Sequence, residues 1–159
     1  GMTYHEDRLV VAEELKKLIV KQLSDGEPVW FGSDVSKMGD RKLGVWSTDC
    51  FDFEGSFGMD FYMEKGDSLD YRESAMNHAM VITGVCLDEQ GEPTKWKIEN
   101  SWSDENGDKG YYQMNGDWFD RYVYQAVINR KYLTEAQLQE AAGEPIHLDP
   151  WDPMGTLAD

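Results

Sequence analysis

The fold class this sequence predicts is an α+β domain, an antiparallel sheet with helices at its margins, and three observations predict it. An apolar period of helical spacing runs through the N-terminal stretch. An apolar, β-branched run at 79–85 and a strictly alternating run at 95–100 are separated by one polar turn. A capping-box pattern stands at residue 134. The chain has 159 residues, enough for one domain with one core. No linker, repeat or low-complexity tract divides it, so residues 1–159 read as a single domain.

The elements follow in order. Residues 5–23 read as a helix, because Ala12, Leu15, Ile19 and Leu23 fall on one face with charged residues largely between them. Ser24-Asp25-Gly26 ends it and Pro28 blocks continuation. Residues 28–32 form a short strand. Residues 32–66 show no clean period and read as long loops with local turns, which at this length suggest a functional surface or an embellishment. The polar stretch 70–77 has room for a helical turn. Residues 79–85 have the composition of a strand buried on both faces. After a turn at 88–93, residues 95–100 alternate as a strand with one wet face. Strands at 111–114 and 122–128 follow. Thr134-Glu135-Ala136-Gln137 opens a helix to residue 142, and the tail 145–159 reads as extended.

Composition excludes several classes of function. Thirty-one acidic residues against 15 basic ones give a formal charge of −16. Such a chain repels phosphate backbones and anionic lipid, so neither nucleic acid nor a membrane surface is expected as a partner. Most of this charge reads as a solvated surface. The start, 1–7, is polar and acidic and is not a signal peptide, and no stretch is long and apolar enough to span a bilayer. Cys50 and Cys86 form no CxxC pair, which points away from redox and zinc motifs and toward a reducing compartment. The segment 104–110 superficially resembles a calcium loop. Lys109 stands where the sharp-turn Gly belongs and Asn115 where the bidentate Glu belongs, so it reads as a solvated hairpin turn. His5 and His147 are isolated. No metal or cofactor is expected.

Two residues are placed for chemistry. On the alternating strand, Asn100 shares the apolar face with Trp96 and Ile98, and Trp102 continues that parity. A buried carboxamide without partners costs about 1–3 kcal/mol, so Asn100 needs a dedicated hydrogen bond. From alternation alone, the plainer reading is a strand-end Asn bonded to a turn backbone. His78 begins the apolar strand, in step with Met80, Ile82 and Gly84. It reads either as a satisfied core histidine or as a general base whose second nitrogen is held by an amide. A hairpin between the two strands would make His78 and Asn100 neighbours.

The segment Asn77-His78-Ala79-Met80-Val81-Ile82-Thr83-Gly84-Val85 resembles the His segment of papain-like cysteine peptidases. Lys95-Trp96-Lys97-Ile98-Glu99-Asn100-Ser101-Trp102 is similar to their Asn-Ser-Trp segment. Across essentially the whole chain the resemblance is closest to the bleomycin hydrolase and aminopeptidase C family, down to Asp149-Pro150-Trp151-Asp152-Pro153-Met154-Gly155-Thr156-Leu157-Ala158-Asp159, which resembles that family's C-terminal arm. The resemblance implies the sheet-bearing, C-terminal half of a cytoplasmic cysteine aminopeptidase. It implies His78 as catalytic base, Asn100 as its orienting partner and Trp102 as a shield over their bond. It also implies that Leu157, Ala158 and Asp159 meet the free amine of a peptide substrate. The family's nucleophilic Cys segment is absent, and neither Cys50 nor Cys86 has its context, so the chain alone is expected to be inactive. Ser103 stands where the family has Gly. The expected partners are peptide substrates of a complete enzyme, a complementary N-terminal half or a second copy. The other reading is a stand-alone, non-catalytic module that binds peptides or a partner chain.

Overall fold

The computed structural model describes residues 12–144 and residue 147. The expected first turns of the N-terminal helix and most of the tail, including Leu157, Ala158 and Asp159, lie outside the described residues. Helix α1 (Ala12–Ser24) carries Glu13 and Glu14 in its first turn and Lys21 in its last, which complements the helix dipole. Its apolar face is centred on the buried Ile19, with Leu15, Val20 and Leu23 packed around the same core. Lys16 also lies on that face, contrary to the expectation of a wet position. Its ammonium lies 5.9 Å from the centre of the Phe119 ring and reaches Asp120 Oδ1 at 2.6 Å. A long apolar stem with a charged tip can follow a core edge in this way.

Seven strands form one sheet. They are β1 (Val29–Ser33), β2 (Gly39–Asp40), β3 (Val45–Trp46), β4 (His78–Leu87), β5 (Pro93–Glu99), β6 (Tyr111–Asn115) and β7 (Val123–Ala126). Their order is β2-β3-β6-β5-β4-β1-β7. All neighbours are antiparallel except β3 and β6, which run parallel. The predicted antiparallel sheet is thus present with one parallel pair, formed by a strand inside the segment read as loops. Gly44 permits that pairing. Its φ is 70°, and a Cβ there would stand 2.5 Å from Gly107 Cα.

The rest of the 32–66 segment is also more ordered than its sequence suggests. It holds a 3-10 turn at Thr48–Cys50, helix α2 (Phe53–Phe57) and the start of α3 (Lys65–Asp70). Helix α4 (Gly116–Tyr122) fills the stretch between the last two expected strands, taking only Tyr122 from the second, and buries Trp118, Phe119 and Tyr122. Helix α5 (Glu135–Ala141) forms with the predicted capping box between Thr134 and Gln137.

The central hairpin departs from expectation in one respect that bears on the site. Register passes from Ile82 opposite Ile98 to Gly84 opposite Lys97, so Thr83 is an extra residue in a β-bulge. Beyond the bulge Val85 faces Trp96, and Gly84 leaves the face that carries His78, Met80 and Ile82. Nor is β4 buried on both faces. Met80 and Ile82 are buried, whereas Ala79 is exposed. The buried face joins Ile19, Val29, Phe31, Trp96 and Ile98 in one core.

Lys65 pins α3 to the end of α4. Its Nζ donates to Asp120 O at 3.2 Å and to Val123 O, and it lies 5.1 Å from the centre of the Tyr124 ring. Burial lowers its pKa to about 8 from the usual 10.5, against the opposing pull of Asp120. Between those values the folded state binds fewer protons than the unfolded chain, so stability rises with pH across that window. We expect the wild-type chain to gain roughly 2 kcal/mol over K65M between pH 8 and 10 in urea titrations. Equal pH dependence of the two proteins would contradict this. The comparison stops at pH 10 because burial raises the pKa of Tyr122 and Tyr124.

Candidate active site

The hairpin β4–β5 brings the two sequence-predicted groups together. His78 opens β4, and Asn100 follows β5 with its backbone N–H donating to Gly110 O at 3.1 Å. The alternation of β5 is strict, with Trp96 and Ile98 buried, so Asn100 comes out on the same side as His78. His78 Nε2 lies 2.9 Å from Asn100 Oδ1. The same oxygen accepts the Ser101 N–H at 2.8 Å. An atom receiving a backbone N–H must be the carboxamide oxygen, so the His78 nitrogen facing it carries the proton. That leaves the lone pair of a neutral His78 on Nδ1. Asn100 Nδ2 is buried and finds no hydrogen-bond partner among the described residues, so only the oxygen end of the amide is satisfied.

Trp102 lies over this pair. Its ring stacks on the His78 imidazole with 5.0 Å between centres and 25° between planes. Three further groups hold the indole, and the sequence reading missed them. Trp46 and Tyr112 meet it edge-on at 6.1 and 5.9 Å, and the Arg41 guanidinium lies 4.6 Å from its centre. Trp46 stacks on Tyr112 at 4.7 Å, which closes the aromatic box. Asn106 adds a bond from Nδ2 to Trp102 O at 3.1 Å, from the acidic turn that the sequence marked as a hairpin. Parity within β6 would have revealed Tyr112. Arg41 sits in a turn whose sequence carries no such signal.

Ser103, next in the chain, has φ of 75°. The position takes the left-handed conformation that favours glycine, and a serine there bears a strain of about 1 kcal/mol. The two thiols stand apart from the pair. Cys86 is exposed on β4, eight residues from His78, which is roughly 26 Å along a strand. Cys50 follows Ser47, whose hydroxyl is bonded to Asn115 at the end of β6 away from Asn100. Among the described residues no cluster of three His, Cys, Asp or Glu side chains is placed to hold a metal, and no helix is long and apolar enough to cross a membrane.

An imidazole fixed in one tautomer by an asparagine amide can accept a proton at its free nitrogen. The α+β sheet with its flanking helices is that of the papain-like cysteine peptidases. The chain belongs to the Peptidase C1-like family, whose sequence model matches residues 7–155. It is 54% identical over 148 residues to aminopeptidase C of Lactobacillus delbrueckii subsp. lactis, covering 91% of this chain and 33% of that protein. It is 45% identical over 148 residues to human bleomycin hydrolase, covering 91% of this chain and 32% of that protein. The crystal structure of pepw from Lactobacillus rhamnosis superimposes with a TM-score of 0.84 at 51% identity, covering 89% of this chain and 32% of that one. The chain thus spans about a third of the length of these relatives.

Proposed function

We propose that this chain supplies the general-base half of a thiol-dependent aminopeptidase, with His78 as base, Asn100 as its orienting partner and Trp102 as the shield. The observation that carries the reading is the His78–Asn100 bond with its single allowed tautomer. In a complete enzyme, His78 Nδ1 would take the proton of a cysteine thiol supplied by another segment. The thiolate sulfur would then bond to the substrate carbonyl carbon, and His78 would return the proton to the departing amine. Water would add to the resulting thioester and restore the thiol. In this reading Leu157, Ala158 and Asp159 meet the substrate's free amine. The two free thiols fit work in a reducing cytoplasm.

The chain by itself is expected to give a blank with a fluorogenic amino-acid amide, because neither thiol lies near His78. Mixing it with the thiol-bearing remainder of a Peptidase C1-like relative should restore hydrolysis. Thiol-sensitive turnover by the chain alone, lost on mutating Cys50 or Cys86, would overturn this assignment.

A partner-binding role has its own support. Phe51, Phe53, Phe57, Met59, Phe61 and Tyr62 are all exposed on and around α2, and α2 buries none of its residues. Exposed apolar side chains gathered along one segment favour association. In this second reading the segment, interleaved with Asp52, Glu54 and Asp60, would seat a complementary half or a second copy. Light scattering at high salt, where the charge of −16 is screened, should show self-association. A strict monomer at high concentration would argue against it.

A further inference from the structure

Asp34 is a buried carboxylate that the proposed chemistry does not use. It follows β1, is only 2% exposed, and forms no ion pair among the described residues. Neutral donors surround it instead. Oδ1 accepts from Ser36 N at 3.1 Å, Ser36 Oγ at 2.5 Å and Asn77 Nδ2 at 2.6 Å. Oδ2 accepts from Ser74 Oγ at 2.8 Å and Ala75 N at 3.2 Å, and Tyr124 OH donates to Ser74 Oγ at 2.6 Å. Burial pushes the Asp34 pKa up, yet the bonds from Ser36, Ser74 and Ala75 leave it lowered overall, so the group is held as an anion. A carboxylate without a counter-ion is a costly way to fill a core, since an apolar residue would fill the same volume at less expense of solvation.

What the anion organises is the approach to His78. Three of its five donors come from residues 74–77, the segment that leads into β4. Asn77 is held at three points, because its Oδ1 also accepts Val35 N at 3.1 Å and its own N–H donates to Ser33 O at 3.1 Å. His78 comes next, paired in register with Ser33. The backbone just before the imidazole is thus clamped to the end of β1 through one carboxylate.

We propose that Asp34 is the positioning residue of His78, acting through Asn77 to hold the imidazole where Nε2 meets Asn100. The proposal rests on the reading of His78 as the base, but its test needs no turnover, so the two can fail separately. Asp34→Asn keeps the shape and turns one acceptor into a donor that faces other donors. Asn77→Ala leaves the bonds to Ser36, Ser74 and Ala75 in place and cuts the link to His78. Long-range 1H–15N spectra of the folded, 15N-labelled chain report the ratio of the Nε2–H to the Nδ1–H form of His78. Both variants should lower that ratio by about fivefold, the equivalent of one neutral hydrogen bond. A remote destabilising control, Gln137→Ala in the α5 capping box, should leave it unchanged. If D34N fails to fold, N77A carries the test alone. An unchanged ratio in N77A or in folded D34N, or an equal fall in the control, would overturn the proposal.

Discussion

Replacing His78 by Gln in an enzyme completed with a thiol-bearing half is expected to lower kcat/KM by about three orders of magnitude or more. Glutamine retains a hydrogen-bonding head of similar reach, so the contact with Asn100 Oδ1 survives in kind. It has no basic lone pair and cannot accept the thiol proton. The loss should therefore fall on kcat while KM changes little, as when an interaction made only in the transition state is removed. Alkylation by iodoacetamide gives an independent reading, because a thiol without its base reacts more slowly at neutral pH. Asn100→Ala should fall between wild type and H78Q, since it removes orientation and leaves the base. Retention of full turnover and alkylation rate by H78Q would remove the base assignment and leave partner binding as the better account of the chain.

Periodicity makes the faces of His78 and Asn100 legible in the sequence, while their roles are legible only through the resemblance of their two segments to the His and Asn-Ser-Trp segments of papain-like peptidases. The alternation Trp96, Ile98, Asn100 assigned one face, and burial of Trp96 and Ile98 follows it without interruption. His78 keeps its expected face because it lies on the unbulged side of β4. The same logic failed five residues further on, where the bulge at Thr83 exchanges the faces of Gly84 and Val85. A bulge costs one residue of register and leaves no compositional mark when its neighbours are all apolar or small. The burial of Lys16 has no local signal, because its partner Asp120 lies 104 positions away. The parallel pair β3–β6 is two residues long. Strands that short carry no period, so only tertiary contacts define them. Asp34 had no signal at all as a single acid after a strand. Its meaning comes from donors some 40 positions later.

Trp118→Ala is expected to cost about 4 kcal/mol, the range for truncating a fully buried aromatic side chain. That is a large fraction of the roughly 5–15 kcal/mol that holds a domain of ordinary stability together. Trp118 is 0% exposed and packs against Trp46 at 5.7 Å and Tyr122 at 5.3 Å. Its Nε1 donates to Lys37 O at 2.9 Å, so truncation opens a cavity and also removes the partner of that carbonyl. The damage should reach the His78–Asn100 pair by a short route. Trp46 loses a neighbour, Trp46 supports Trp102, and Trp102 covers His78. Trp118→Phe separates the two effects. It keeps most of the volume, lacks the N–H, and should cost about 1–2 kcal/mol while leaving the chain folded. Urea midpoints should rank wild type, W118F and W118A in that order, with the m-value unchanged for W118F. In W118F the His78 imidazole signals should shift, because the ring stacked on it has lost part of its support. A W118A midpoint within experimental error of wild type would show that Trp118 is not the keystone of this aromatic layer. Unmoved His78 signals in W118F would show that Trp46, Tyr112 and Arg41 hold Trp102 without it.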